Sequence, residues 1–254
     1  MQGSSSTSPG AFASRRAPFS CECCFGAGAA TLAPGHLPPD AAGFRRLQVG
    51  AVKVYPLQDA VGSMSLESVF VGADPTELAG YLNVDGNLEM SFGCVLLQSA
   101  RLNILCDTSC GDVVSVSPQP PSRLLPELLL SSAGLTPADI DIVTYSHAHG
   151  DHVAGGIVRD DSGELVPTFP HARYLIRDAE LEHARGSDTF ATFFEPLEAS
   201  GLLEAVPSEG DYVLTDEITL QVCLLSSRLH SILLNNGFRA AAPFWSGHLG
   251  SHPF

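Results

Sequence analysis

The stretch Ser146-His147-Ala148-His149-Gly150-Asp151-His152 constrains this chain more than any other. It gathers imidazoles at 147, 149 and 152 and a carboxylate at 151. It directly follows the apolar run Ile140 to Tyr145, which predicts a buried strand. Neutral imidazole nitrogen and carboxylate oxygen are the donors that suit Zn²⁺, and they also accept Mn²⁺ or Fe²⁺. A His-rich polar turn is the plainer reading. Donors just past a strand end, however, stand where α/β proteins place their chemistry. Two residues apart on extended backbone, His147 and His149 can face the same way. Asp151 and His152 follow where the chain turns into a helix. The stretch predicts a metal site.

Around that motif the 254 residues suit one globular domain with a tail, at 44% hydrophobic and 16% charged. Residues 1–43 are rich in Ser, Ala, Gly and Pro and predict a disordered extension. No acidic residue precedes Glu22, whereas Arg15 and Arg16 do, so the start also resembles an organelle transit peptide. The expected location is cytoplasmic, or an organelle if that segment acts as a leader. The domain is expected over 44–254. A formal net charge of -15 repels nucleic acid and anionic membrane and leaves a small-molecule substrate as the expected partner. Cys94, Cys106 and Cys110 fall in or beside expected strands and read as small core residues. Cys21, Cys23 and Cys24 form a C-x-C-C cluster without partner ligands, a weak metal signal.

Strands and helices intermix throughout, which predicts an α/β protein with helices packed on sheet. Val49 to Leu57 reads as a first strand and Met64 to Gly72 as irregular. Asp74-Pro75-Thr76-Glu77 has the N-cap and proline of a helix start. Gly93 to Gln98 and Leu102 to Cys106 predict a hairpin turning at Ser99-Ala100-Arg101. Leu124 to Ala133 reads as a buried helix stopped by Gly134, and Thr136-Pro137-Ala138-Asp139 as a short helical turn. Ala172 to Ile176 is a further strand. Asp178 to Arg185 and Thr189 to Ala199 are helices, and Ile218 to Leu225 and Ser231 to Leu234 are the last strands.

With these elements in place the chain resembles the metallo-β-lactamase-fold hydrolases, in their lactonase-like branch. His147-Ala148-His149-Gly150-Asp151-His152 matches that family's H-x-H-x-D-H. Ile104-Leu105-Cys106-Asp107-Thr108 resembles its strand ending in Asp-Thr-Gly, with Ser109 in place of the Gly. Gly134 to Asp141 matches the approach to the metal strand, and Phe169-Pro170-His171-Ala172-Arg173-Tyr174 resembles a lactonase-like segment. The resemblance implies an αββα sandwich with metals at one edge. By position it gives His147 and His149 to a first ion and Asp151 and His152 to a second. Asp151 would also handle the proton of the attacking water or leaving group. Asp107 would orient ligand imidazoles from behind, although an Asp at that point can equally be a turn cap.

The resemblance weakens after about residue 222. The family continues with a Pro-Gly-His turn, a bridging Asp and a final His. Here Cys223 to His230 lacks that turn and offers only His230, offset from the expected position. His248 stands where the bridging carboxylate belongs, and a His cannot bridge two ions as a carboxylate does. No acidic residue occurs from Ile218 to Phe254. Two readings follow. One is a zinc-dependent hydrolase acting on a lactone, ester or related acyl bond, with His230 and His248 as candidate further ligands. The other is an inactive or truncated member of the same fold with a binding role or none. Three nitrogen ligands, His147, His149 and His152, could still hold a single zinc ion.

Overall fold

The computed structural model describes residues 46–112, 125–224 and 229–235. The expected N-terminal extension and its three cysteines lie outside the described residues. The first expected strand is in fact two, β1 (Leu47–Val49) and the longer β2 (Val52–Ser65). Where irregular chain was expected, Ser65 accepts the Ser68 N–H at 3.2 Å and caps a one-turn helix, α1 (Leu66–Val69). Leu66 and Val69 bury against Leu88, and that burial fixes the turn. The helix expected from Asp74 does not form. Asp74 accepts the Thr76 N–H at 2.8 Å as a cap would, yet only a 3₁₀ turn follows, at Ala79–Tyr81. A cap satisfies an orphan donor, but a helix also needs an apolar stripe to bury. Tyr81 is 75% exposed and Val84 fully so.

From there the expected order largely holds. β3 (Asn87–Gln98) turns at Ser99 into β4 (Asn103–Cys106). α2 (Leu125–Ala133) ends at Gly134, which adopts φ +70°. Thr136 and Asp139 then cap each other's backbone ahead of β5 (Ile142–Thr144). The motif lies between β5 and a short helix, α3 (Gly150–Val153). β6 (Ile157–Arg159) and β7 (Leu165–Pro167) make a small hairpin across the acidic loop. β8 (Arg173–Arg177) and α4 (Asp178–Ala184) follow. The expected helix over Thr189 to Ala199 begins instead with a wide π turn, Phe190–Phe194, and becomes α-helical only as α5 (Glu195–Ala199). Pro196 has no N–H to return to the preceding turn, so the ladder widens before it. β9 (Leu203–Val206), β10 (Tyr212–Val213), β11 (Ile218–Leu224) and β12 (Leu229–Asn235) complete the described chain.

Seven strands form one mixed sheet in the order β1-β2-β3-β4-β5-β8-β9, and β10-β11-β12 form a second sheet. Side-chain alternation divides the core in two. Leu105, Val143, Tyr174 and Ile176 face α2, α4 and α5, where Leu129, Leu181 and Leu197 meet them. Ile104, Cys106, Ile142 and Leu175 face the other way, onto Ile218 and Leu220 of the second sheet. Helices, sheet and second sheet are three layers of the expected αββα sandwich. Cys94, Cys106 and Cys110 are buried free thiols, as the sequence predicts.

One close approach sets the metal-motif edge. The turn after β4 packs onto the chain after α3, with Gly155 donating its N–H to Ser109 O at 3.2 Å. A Cβ on Gly155 would stand 1.9 Å from Thr108 O, and one on Gly111 2.7 Å from Ala154 O. Backbone cannot yield there as a flexible side chain would. Gly155→Ala should therefore cost about 2–3 kcal/mol, read as a fall in the urea midpoint without change in slope. A loss below about 0.5 kcal/mol would show that the two turns are not locked together.

Candidate metal centre

β4 and β5 are parallel neighbours, so the residues that leave each strand emerge at the same edge. Asp107 follows β4, and Ser146 to His152 follow β5. The two turns are stitched by backbone. Asp107 N–H donates to Thr144 O at 2.9 Å, and Thr108 N–H to His152 O at 2.7 Å. Asp107 takes φ +60°, a left-handed conformation that Asp tolerates better than most residues. Ser109, in the place of the family's Gly, is held at φ +59°.

This backbone brings His147, His149, Asp151, His152 and Asp107 together. His147 Nε2 lies 2.9 Å from His149 Nδ1. Asp151 Oδ2 lies 3.4 Å from His152 Nε2. Two donors about 2.0–2.1 Å from one tetrahedral ion stand about 3.4 Å apart. The second pair has that separation, and the first is drawn in by the hydrogen bond its rings share. The rings of His147 and His152 have centroids 4.1 Å apart, which places the two pairs side by side. The donor types are those that suit a divalent metal ion. Among the described residues no three His, Cys, Asp or Glu side chains form a ready ligand set, so each pair needs further donors to complete a shell.

The surroundings favour charge. His147 and His152 are buried, Asp107 is almost wholly so, and Asp151 is half-buried. Burial alone would pull the His152 imidazole down. The Asp107 carboxylate, 2.8 Å from Nδ1, and Asp151 outweigh burial and push it up to about 10. Burial likewise raises Asp151, but its contacts with His152 and the charge of His149 prevail and hold it below the usual carboxylate range. Asp151 is thus an ionised carboxylate at neutral pH.

His230 falls in β12 opposite Cys223, in the second sheet, and its side chain lies outside what is described. His248 lies outside the described residues. His171, in the segment that resembles the lactonases, is exposed, with Nδ1 3.2 Å from Ala138 O. Two neighbours of the motif carried no expectation from the sequence. Ser146 Oγ contacts Asp107 and both neighbouring imidazoles. Glu180, buried on α4, accepts the Ala148 N–H at 3.4 Å in the middle of the motif. An acidic residue on a helix usually marks a solvated face, so nothing in its spacing sets Glu180 apart.

Comparison with known proteins bears on the fold. The profile of the metallo-beta-lactamase superfamily matches residues 94–216, which include the motif and end just before β11. A search of curated proteins returns no match. Among solved structures, a probable metal-dependent hydrolase from Staphylococcus aureus is similar with a TM-score of 0.59 at 21% identity, over 74% of this chain and 69% of that one. AbOPH, a hydrolase in the beta lactamase superfamily, gives 0.58 at 17% identity over 75% and 72%. AidC, a dizinc quorum-quenching lactonase solved with a product, gives 0.55 at 18% identity over 75% and 72%. At these identities the likeness establishes the fold.

Proposed function

Because this chain has the metallo-beta-lactamase fold, we propose that it is a metal-dependent hydrolase of lactones or related carboxylic esters. The observation that carries the reading is the pairing at the sheet edge, His147 with His149 and Asp151 with His152. His147 and His149 would hold one ion and Asp151 and His152 another, with zinc the metal best suited to these donors. Bound there, divalent ions supply Lewis acidity and bring a coordinated water's proton loss near neutral pH. The protein's own groups do the rest. Asp107 holds His152 by Nδ1 and presents Nε2 toward Asp151. Asp151, ionised and half-buried, would take the proton of the attacking water and return it to the leaving alcohol oxygen. A lactone opened this way leaves hydroxyl and carboxylate on one product. The choice of lactone or ester is supported by the likeness to a lactonase structure and by the segment Phe169 to Tyr174.

The second reading, a non-catalytic member of the fold, has one observation in its favour: two donors per ion are all that the described residues provide. One experiment separates the two. Metal analysis of purified protein should find about two zinc ions per chain. His149→Ala should lower that content and reduce kcat/KM on acyl lactones by at least about 100-fold. Turnover unaffected by His149→Ala would defeat the proposed metal mechanism, and protein that neither takes up zinc nor turns over acyl lactones would leave the non-catalytic reading.

A further inference from the structure

We propose that Ser146 is a positioning residue through which a single carboxylate, Asp107, sets the tautomer of His147 while it holds the His152 ring by direct contact. The consequence for metal affinity rests on the ligand reading above; the tautomer itself does not. Three donors converge on Asp107. The Ser146 N–H meets Oδ1 at 2.7 Å, and Ser146 Oγ and His152 Nδ1 each lie 2.8 Å from Oδ2. With three donors aimed at it, the buried carboxylate acts only as an acceptor. The single O–H of Ser146 is therefore committed to Asp107.

The direction of every other hydrogen bond in the chain follows. With its proton spent, Ser146 Oγ can only accept, and His147 Nδ1 stands 3.0 Å away. His147 must carry its N–H on Nδ1. A neutral imidazole has one N–H, so Nε2 is left as an acceptor. Nε2 is the atom that faces His149 Nδ1 at 2.9 Å. On the other arm, His152 reaches Asp107 directly by Nδ1, with Ser146 Oγ at 3.3 Å as a lesser partner. One carboxylate thus turns the Nε2 atoms of His147 and His152 toward the two donor pairs. It grips His152 by contact and His147 through a hydroxyl.

This asymmetry separates Ser146 from a residue that merely braces the turn. Ser146→Ala cuts the arm to His147 and leaves the arm to His152. Ser146→Thr keeps the hydroxyl and both arms. Long-range ¹H–¹⁵N imidazole correlation spectra of the full-length protein, freed of metal with a chelator, read the tautomers. His147 is expected as Nδ1–H in the native protein and in Ser146→Thr, and as a mixture or Nε2–H in Ser146→Ala. An Nε2–H signal for His147 in the native protein overturns the proposal, as does an unchanged signal in Ser146→Ala. The native spectrum decides alone if the alanine variant does not fold. Zinc titration against a chromophoric chelator gives the second readout. Ser146→Ala should weaken one zinc-binding event about 10- to 100-fold and leave the other within about threefold. Equal weakening of both events, or of neither, overturns the selective relay. A native protein that shows Nδ1–H at His147 yet binds no zinc would keep the relay and remove the metal reading instead.

Discussion

Asp107→Ala should destabilise the protein by roughly 3–5 kcal/mol, the range for breaking a buried charged pair from one side. The carboxylate is 1% exposed and accepts from Ser146 N–H, Ser146 Oγ and His152 Nδ1. Its loss strands those donors where water does not reach, and each unsatisfied donor costs about 1–3 kcal/mol. Alanine also tolerates φ +60° less well than Asp, adding about 1 kcal/mol. Asp107→Asn separates these contributions. Asn accepts the left-handed backbone and keeps an oxygen for Ser146 N–H, but removes the anion opposite His152. It should cost about half as much and still release the His152 ring. Urea unfolding of the zinc-free variants measures both. Asp107→Ala within about 1 kcal/mol of the native protein would mean that Asp107 is only a turn cap. Zinc binding at the Asp151–His152 pair should fall in both variants, because His152 is no longer held by Nδ1.

How much of this was readable beforehand varies with the kind of interaction. Apolar runs at β4, β5 and β8 are buried on both faces, so Ile104, Leu105, Val143 and Leu175 announce themselves by hydrophobicity alone. The donor residues of the motif are adjacent in sequence, and their grouping is visible without a fold. Asp107 is legible only through family resemblance, since the contact to His152 spans 45 positions. Glu180 and Ser146 were not legible at all, because their partners are defined by packing. β9 gives no strand signal because Leu203–Val206 is short and only partly buried along its length. The helix expected at Asp74 shows the opposite failure. Local capping chemistry was read correctly, and tertiary burial, which decides whether a helix follows, was absent.

Metal-free protein should lose stability as pH rises from about 6.5 to about 10, and zinc should reverse that trend. In the chelated state His152 is raised to about 10 by Asp107 and Asp151 against the pull of burial. Its pKa in the unfolded chain is about 6.5. A group raised by folding stabilises fully below its unfolded value and loses that contribution as pH climbs through its folded one. At about 1.4 kcal/mol per unit the loss amounts to at most about 5 kcal/mol. Asp151 works from the acid side. Its lowered pKa contributes stability above the ordinary carboxylate range that disappears as pH falls. The chelated protein should therefore be most stable near pH 4.5 to 6.5. Zinc competes with the proton for His152 Nε2 and for Asp151, so its affinity rises with pH as protons are released. Thermal unfolding across pH 5 to 9, with zinc and with chelator, should give two curves that diverge toward alkaline pH. Parallel curves would show that zinc does not bind where His152 carries its proton. Chelated protein that gains stability from pH 7 to 9 would contradict the Asp107–His152–Asp151 charge arrangement itself.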